Sequence, residues 1–328
     1  MEMVFEDASE LQEENFAMKI LVTGGAGFVA SHLVDRLITD EHQVVVVDNL
    51  SAGRRENINP NAVFYEVDIC NAGALEEVFK KEEPDMVDHH AAHVNVRKSV
   101  EMPVYDATIN ILGSLNLCEL SRKYSVKKIV YISTGGAVYG EPKDLPVPET
   151  CTVDPLSQYG VSKHTVEHYL AIFYRLYGLN FTVLRYPNVY GPRQSPHGEA
   201  GVIAIFSELM IQNKQPTIFG DGSKTRDYVF VSDVVAANVL VMNDKIGTGE
   251  IYNLGWGKEI TDLEVFQTVR KALSSHVEPI FDQKRPGEID RISLDSSKAT
   301  RVLGWRPKVP FEEGVKLSVA YYQKLMKR

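Results

Sequence analysis

A phenol and an ammonium stand four residues apart in Tyr159-Gly160-Val161-Ser162-Lys163. On a helix these positions share one face, so the cation sits where it stabilises a phenolate. Tyrosine ordinarily titrates near pH ~10, and a fixed positive neighbour lowers that value. The pair has the makings of a proton-transfer device, although the same spacing is common on solvated helix surfaces. What distinguishes it is its position downstream of Thr23-Gly24-Gly25-Ala26-Gly27-Phe28-Val29-Ala30. Gly24-x-x-Gly27-x-x-Ala30 follows a predicted strand and opens a predicted helix, the setting in which glycines let a pyrophosphate approach backbone N–H groups. Ala30 adds one methyl where a third glycine is usual. Asp48, followed by Asn49, ends the second predicted strand. A carboxylate there accepts hydrogen bonds from an adenosine ribose and repels a 2′-phosphate, which favours NAD over NADP. Asp68 closes the third strand, placed either to reach an adenine amino group or to form a turn. Ser133-Thr134 ends the fifth strand, at the carboxyl edge where a hydroxyl can hold a sugar oxygen beside Tyr159.

Short β-branched runs carry these residues: Ile20–Thr23, Val44–Val47, Val63–Val67, Met86–His89, Lys128–Ile132 and Phe181–Leu184. Helix-length apolar patterns separate them at Phe28–Thr39, Ala74–Lys81, Pro103–Tyr124 and Ser157–Tyr177. Such alternation predicts βαβ units and an α/β, doubly wound parallel sheet of the Rossmann kind. After Arg185 the chain becomes rich in proline and glycine, predicting a smaller C-terminal α/β substrate-binding domain. Val229–Val241 and Glu250–Leu254 return to the first domain. The expected division is an acidic tail over 1–17, a dinucleotide-binding domain over 18–186 plus about 229–255, and a substrate domain over about 187–228 plus 256–328.

The formal charge of −9 is concentrated at one end: residues 1–17 carry Glu2, Glu6, Asp7, Glu10, Glu13 and Glu14 with no Lys or Arg. Without those six acids the charge is −3, and no long basic run is present, which argues against nucleic acid as a partner. We expect this tail to be disordered. No apolar run approaches the roughly 18 residues of a membrane span, and the N-terminus lacks a secretory pattern. Cys70, Cys118 and Cys151 are scattered without disulfide or metal-ligand spacing. A cytoplasmic location is the expectation. His89, His90 and His93 cluster without a further ligand in metal-binding spacing, so no metal is expected.

Taken together, the glycine turn, Ser133-Thr134-Gly135-Gly136-Ala137-Val138-Tyr139-Gly140, Tyr159-x-x-x-Lys163 and Arg285-Pro286-Gly287-Glu288 resemble the extended short-chain dehydrogenase/reductase family. Within it they are most similar to the UDP-glucose 4-epimerase branch. The resemblance runs from about Met18 to the C-terminus. It implies a bound NAD that takes a hydride from sugar C4 while a tyrosinate takes the hydroxyl proton. The roles it implies are Tyr159 as base and acid, Lys163 as the cation that lowers its pKa, and Thr134 or Ser133 as the hydroxyl partner. Counting back from Tyr139 puts the family's serine at Gly135, whereas counting from the strand end puts it at Thr134, which we favour. It further implies cofactor contacts at Phe28, Val29, Asp68, Ile69, Ala91, Ala92, Asn110 and Tyr186. Asn188, Phe219, Arg226 and Arg285 would hold the UDP-sugar, and helices Pro103–Tyr124 and Ser157–Tyr177 would form a four-helix homodimer interface.

Dehydratases and decarboxylases of this family place acidic residues in the segment held here by Gly135-Gly136-Ala137. Their absence favours simple epimerisation, with UDP-glucose, UDP-N-acetylglucosamine and UDP-glucuronate open as substrates. A non-catalytic dinucleotide sensor would have no need of Tyr159, Lys163, Arg226 and Arg285 together.

Overall fold

The computed structural model describes residues 17–197, 201–243, 245–284 and 289–327. The acidic tail up to residue 16 and Arg285 lie outside the described residues. In chain order the strands are β1 (Lys19–Thr23), β2 (Gln43–Asp48), β3 (Val63–Glu66), β4 (Met86–His89), β5 (Lys128–Thr134), β6 (Asn180–Tyr186) and β7 (Asn188–Tyr190). They continue with β8 (Thr217–Phe219), β9 (Thr225–Arg226), β10 (Tyr228–Phe230), β11 (Glu250–Asn253), β12 (Ile260–Thr261) and β13 (Ile280–Asp282). Seven of them form one parallel sheet in the order β11-β6-β5-β4-β1-β2-β3. The chain runs outward from β1 to β3, then crosses back to β4 and proceeds the other way. At that reversal the carboxyl ends of β1 and β4 diverge and open a crevice.

Both faces of the sheet are covered, which is why its inner strands carry continuous apolar runs such as Val44–Val47 rather than strict alternation. Val44 and Val46 of β2 join the cluster of Leu33, Val34 and Leu37 on helix α1 (Phe28–Thr39). Val45 and Val47 point the other way, into a cluster with Val78 and Phe79 of α2 (Ala72–Glu82). A short α3 (Val96–Glu101) leads into a long helical segment. The sequence pattern predicts one helix over Pro103–Tyr124. The segment is instead α4 (Pro103–Ala107), a π-helical turn at Thr108–Gly113, and α5 (Ser114–Lys123). Gly113 lies in this widened turn, where an added Cβ would come within 2.7 Å of Ile69 Cδ1. A one-turn α6 (Gly135–Val138) follows β5, and α7 (Gln158–Tyr177) packs on β5 and β6.

The C-terminal elements are α8 (Val202–Ile211), α9 (Val231–Val241), α10 (Asp262–Leu273), α11 (Ser297–Leu303) and α12 (Phe311–Leu325). With them come three small two-stranded pairs, β7 with β10, β8 with β13 and β9 with β12. Phe206, Ile218, Phe266 and Val315 of this region are buried in the same cluster as Ile20, Val22 and Leu33 of the large sheet. One continuous apolar core therefore joins the large sheet to the smaller elements above its crevice.

Candidate active site

The glycine turn crosses the open end of β1. Gly24 has φ +70, and a Cβ there would lie 2.8 Å from Ala91 N, so only glycine lets this turn pass the chain leaving β4. Gly27 precedes α1, and among the described residues no side chain caps that helix. Its first N–H groups, at half-buried Phe28 and Val29, are donors that the opening turn of a helix leaves without intrahelical partners, as an anion site requires. Asp48 at the end of β2 accepts from Ala26 N (3.0 Å) and Leu50 N (2.8 Å), fixing the turn from below. Burial pushes its carboxyl above the ordinary range, against those two hydrogen bonds. Asn49 is exposed and donates to Asp68 Oδ2 at 2.9 Å. Burial opposes ionisation of Asp68, but the bonds from Cys70 N and Asn49 hold its carboxyl below the usual value. Asp68 stands two residues beyond β3, since that strand ends at Glu66. A glycine cradle, uncapped helical N–H groups and a carboxylate one strand away fit a dinucleotide.

Across the crevice, Tyr159 begins α7, whose N-cap Ser157 accepts from Gly160 N at 3.2 Å. The Thr134 hydroxyl at the end of β5 lies close enough to the Tyr159 phenol to pull its pKa down. Lys163 lies one turn later, 3% exposed, with its ammonium 4.2 Å from the centre of the Tyr131 ring. Burial lowers the Lys163 pKa to about 7, opposed by the charges of Glu167 and Asp106. The sequence led us to expect Lys163 to pull the Tyr159 pKa down. Here the phenol is instead raised, by burial first and by Asp106 second, with the Thr134 hydroxyl acting against both. The ammonium is turned onto the Tyr131 ring, and burial is the larger influence on the phenol.

Ser133 and Thr134, offered together by the sequence, separate in space. The Ser133 hydroxyl donates to Glu167 Oε1 at 2.6 Å, inside a buried network in which Arg185 binds Glu167 and Tyr139. Burial opposes the Glu167 charge, but the bonds from Arg185 and His164 bring its carboxyl down to about 2. Tyr186 also faces away, its hydroxyl hydrogen bonded to Asn238 of α9. Asn110 is buried in the π turn and holds the 91–95 segment: its Oδ1 accepts from His93 N (2.7 Å), and its Nδ2 donates to His93 O and Asp106. Ala91 donates to Thr23 Oγ1 (3.2 Å), half-buried Ala92 follows it, and Ile69 O accepts from Asn116. The three histidines part company. His89 bridges Thr23 and Ser114, His90 meets Asp88 at 2.8 Å, and His93 meets Asp106 at 3.2 Å. Among the described residues no group of three or more His, Cys, Asp or Glu is placed to hold a metal.

On the substrate side, Asn188 and Thr134 border the same gap beside Gly136, where an added Cβ would lie 3.6 Å from Asn188 Oδ1 and 3.8 Å from Thr134 Oγ1. Phe219 lies in β8 opposite Asp282 of β13. Arg226 lies in β9, its guanidinium donating to Thr225 O (2.7 Å) and Asp290 O (3.4 Å). Sequence reasoning missed three residues that organise these groups. Asp106, fully buried, accepts from Ser162 at 2.6 Å and acts electrostatically on Tyr159 and Lys163. Ser99 accepts from Tyr159 N at 3.1 Å. Asp227, next to Arg226, accepts from the N–H groups of Trp256, Gly257 and Leu294, and burial raises its pKa to about 6 against those bonds. For Asp106 and Ser99 the only signal was a polar residue within a helical pattern, and for Asp227 its place between two short strands beside Arg226.

The sequence matches the NAD dependent epimerase/dehydratase family over residues 20–255. A putative UDP-glucose 4-epimerase of Methanocaldococcus jannaschii is 50% identical over 90% of this chain and 96% of its own length. The crystal structure of UDP-glucose 4-epimerase from Thermotoga maritima with UDP-glucose superposes with a TM-score of 0.93 at 50% identity, covering 94% of this chain and all of that one. The Thermus thermophilus UDP-glucose 4-epimerase complex with NAD gives 0.89 at 43% identity, covering 93% of this chain and 99% of that chain.

Proposed function

The chain belongs to the NAD-dependent epimerase/dehydratase family, and we propose that within it this protein is a UDP-glucose 4-epimerase, interconverting UDP-glucose and UDP-galactose through a 4-keto sugar. The observation that carries this reading is the meeting of Tyr159 and Thr134 at the crevice, one turn from Lys163, with no acidic side chain at 135–137. Gly24, Gly27, Phe28 and Val29 would cradle the pyrophosphate of NAD, Asp48 and Asn49 would take the adenosine ribose, and Asp68, Ile69, Ala91 and Ala92 would line the remainder. Bound there, NAD supplies the hydride acceptor and donor at C4 and a positive nicotinamide that favours the tyrosinate. Asn110 orders the 91–95 wall. Ser133 and Tyr186 support the crevice from behind.

Tyr159 Oη removes the proton from the C4 hydroxyl and later returns it to the same oxygen. The Thr134 hydroxyl holds that oxygen and the phenol in line, and Lys163 offsets the negative charge that develops on the phenolate. Asn188, Phe219 and Arg226 hold the nucleotide-sugar, as does Arg285 on the strength of its motif. Arg226 is suited to a diphosphate because its guanidinium is already oriented by two carbonyls. Dehydration would need an acid and a base near C5 and C6. At Gly135 the place of such a side chain is filled by Leu294, whose Cδ1 would stand 2.3 Å from an added Cβ. Incubation of the purified protein with UDP-glucose, read by an assay for UDP-galactose, tests the reading. Epimer formation without loss of water supports it, and a 4-keto-6-deoxy product or no turnover overturns it. UDP-N-acetylglucosamine and UDP-glucuronate run in parallel decide the range of sugars.

The functional unit is a homodimer. Val104, Leu112, Val161, Ile172 and Leu176 are 79, 55, 48, 44 and 67% exposed on α4, the π turn and α7, a stripe too apolar for a solvated face. A second copy of this chain, adding its own two helices, would cover it. A monomer in sedimentation at micromolar concentration would refute this.

A further inference from the structure

We propose that His164 and His168 form a bidentate site for a divalent transition ion of the copper and nickel class, on the outer face of α7. The two residues are one turn apart and project from the same side of the helix. Their rings are 4.5 Å apart, and their Nε2 atoms face each other at 3.0 Å. Two neutral imidazoles cannot both present lone pairs at that distance, so a proton or a cation must lie between them.

The tautomer of His164 is set from behind. Its Nδ1 lies 2.8 Å from Glu167 Oε2, a carboxylate already held by Arg185 and therefore charged, so Nδ1 carries the proton and Nε2 the lone pair. A carboxylate behind a ligating imidazole orients the ring and raises its basicity. Glu167 is itself committed to Ser133, Arg185 and His164, which makes it a support and not a ligand. His168 is exposed on the single chain, at the edge of the apolar stripe.

The spacing selects the ion. With metal–nitrogen bonds of about 2.0–2.1 Å, nitrogens 3.0 Å apart subtend roughly 95° at the metal. That is close to the right angle of a cis pair in a tetragonal or octahedral ion, and imidazole nitrogens bind Cu²⁺ most tightly of the divalent first-row ions, so the site suits Cu²⁺, then Ni²⁺. The inference is independent of the proposed epimerase activity, since neither histidine touches the crevice groups.

The test is titration of the chelator-stripped full chain with Cu²⁺ and Ni²⁺, by calorimetry and by copper electron paramagnetic resonance. One ion per chain with a tetragonal, two-nitrogen spectrum is expected. His168→Gln keeps a hydrogen-bond donor toward His164 but removes the second ligand, so it should weaken binding by about tenfold or more while leaving the fold intact by circular dichroism. His164→Ala should do the same. Undiminished affinity in both variants would overturn the site. So would a stoichiometry of one ion per two chains, which would place the ligands across the apolar stripe that His168 borders.

Discussion

Gly135→Ala should destabilise the protein by about 1–3 kcal/mol, the usual cost of overpacking a filled core. The new Cβ would stand 2.3, 2.8 and 3.1 Å from Cδ1, Cδ2 and Cγ of Leu294, where ordinary contact begins near 3.4 Å. A side-chain tip can often swing away, but this one is confined. Leu294 is fully buried among Val138, Tyr139, Val147 and Ile292, its N–H donates to Asp227, and its own backbone closes on Gly255. The backbone of Gly135 is not in the left-handed region, so the penalty is one of volume alone. A double-mutant cycle isolates it. Leu294→Ala alone should cost about 2–5 kcal/mol through the cavity it leaves. Combined with Gly135→Ala, part of that cavity is filled, so the double variant should be at least about 1 kcal/mol more stable than the singles sum to. Chemical denaturation gives the energies, and epimerase rate gives the functional side, because displacement of Gly135 also moves Thr134. An additive cycle, or a Gly135→Ala protein as stable as the parent, would refute the packing argument. It would also reopen Gly135 as the place for an acid or hydroxyl.

Tyr159→Phe should leave NAD content unchanged and lower turnover by about 10²–10⁴-fold, the usual span for a general acid–base group, and a rate near the parent's would remove it from the mechanism. Thr134→Val should lower turnover, whereas Ser133→Ala should act mainly on stability, since its hydroxyl serves Glu167; the reverse pattern in kcat and denaturation midpoints would exchange their roles. Lys163→Met should stabilise the NAD-free protein by about 0.5–2 kcal/mol at pH 7 while abolishing activity. The sign follows from linkage: a lysine whose folded pKa is lowered to about 7 binds fewer protons folded than unfolded above that pH, so the parent gains stability as pH rises from about 7 toward 10.5. The gap between the two proteins should therefore narrow over that range, and a gap that widens would contradict the assignment.

The legible part of this molecule is the part written in local pattern. Runs such as Val44–Val47 declare buried strands, and the turn from Gly24 to Ala30 declares a backbone with a special approach to make, so the sheet and the cradle follow from sequence alone. The π turn does not, because its apolar spacing differs little from that of an α-helix, while the contact made there, the approach of Gly113 to Ile69, is tertiary. Ser133 and Thr134 show the same limit at finer scale. Adjacent residues on a strand point to opposite faces, so one reaches Tyr159 and the other Glu167, but which does which is fixed by the packing of α7.

The groups that sequence reasoning missed share one property: each acts through burial and not through exposure. Asp106 is a buried carboxylate one helix away from Tyr159, and it raises the phenol's pKa while supporting the protonated form of Lys163. The same carboxylate thus resists charge on one partner of the proton-transfer pair and favours it on the other. Burial and the Asp106 charge together hold Tyr159 as a neutral phenol, so the site is not a standing base. The positive nicotinamide is the charge that could reverse this balance, which ties competence for proton removal to the presence of the group that must accept the hydride. Asp106→Asn keeps an acceptor for Ser162 while deleting the charge. It should therefore lower the pH at which Tyr159 ionises in the NAD-free protein, read by the ultraviolet absorbance of tyrosinate against Tyr159→Phe as blank. An unchanged titration would show that burial alone sets the phenol and that Asp106 only holds α7 in place.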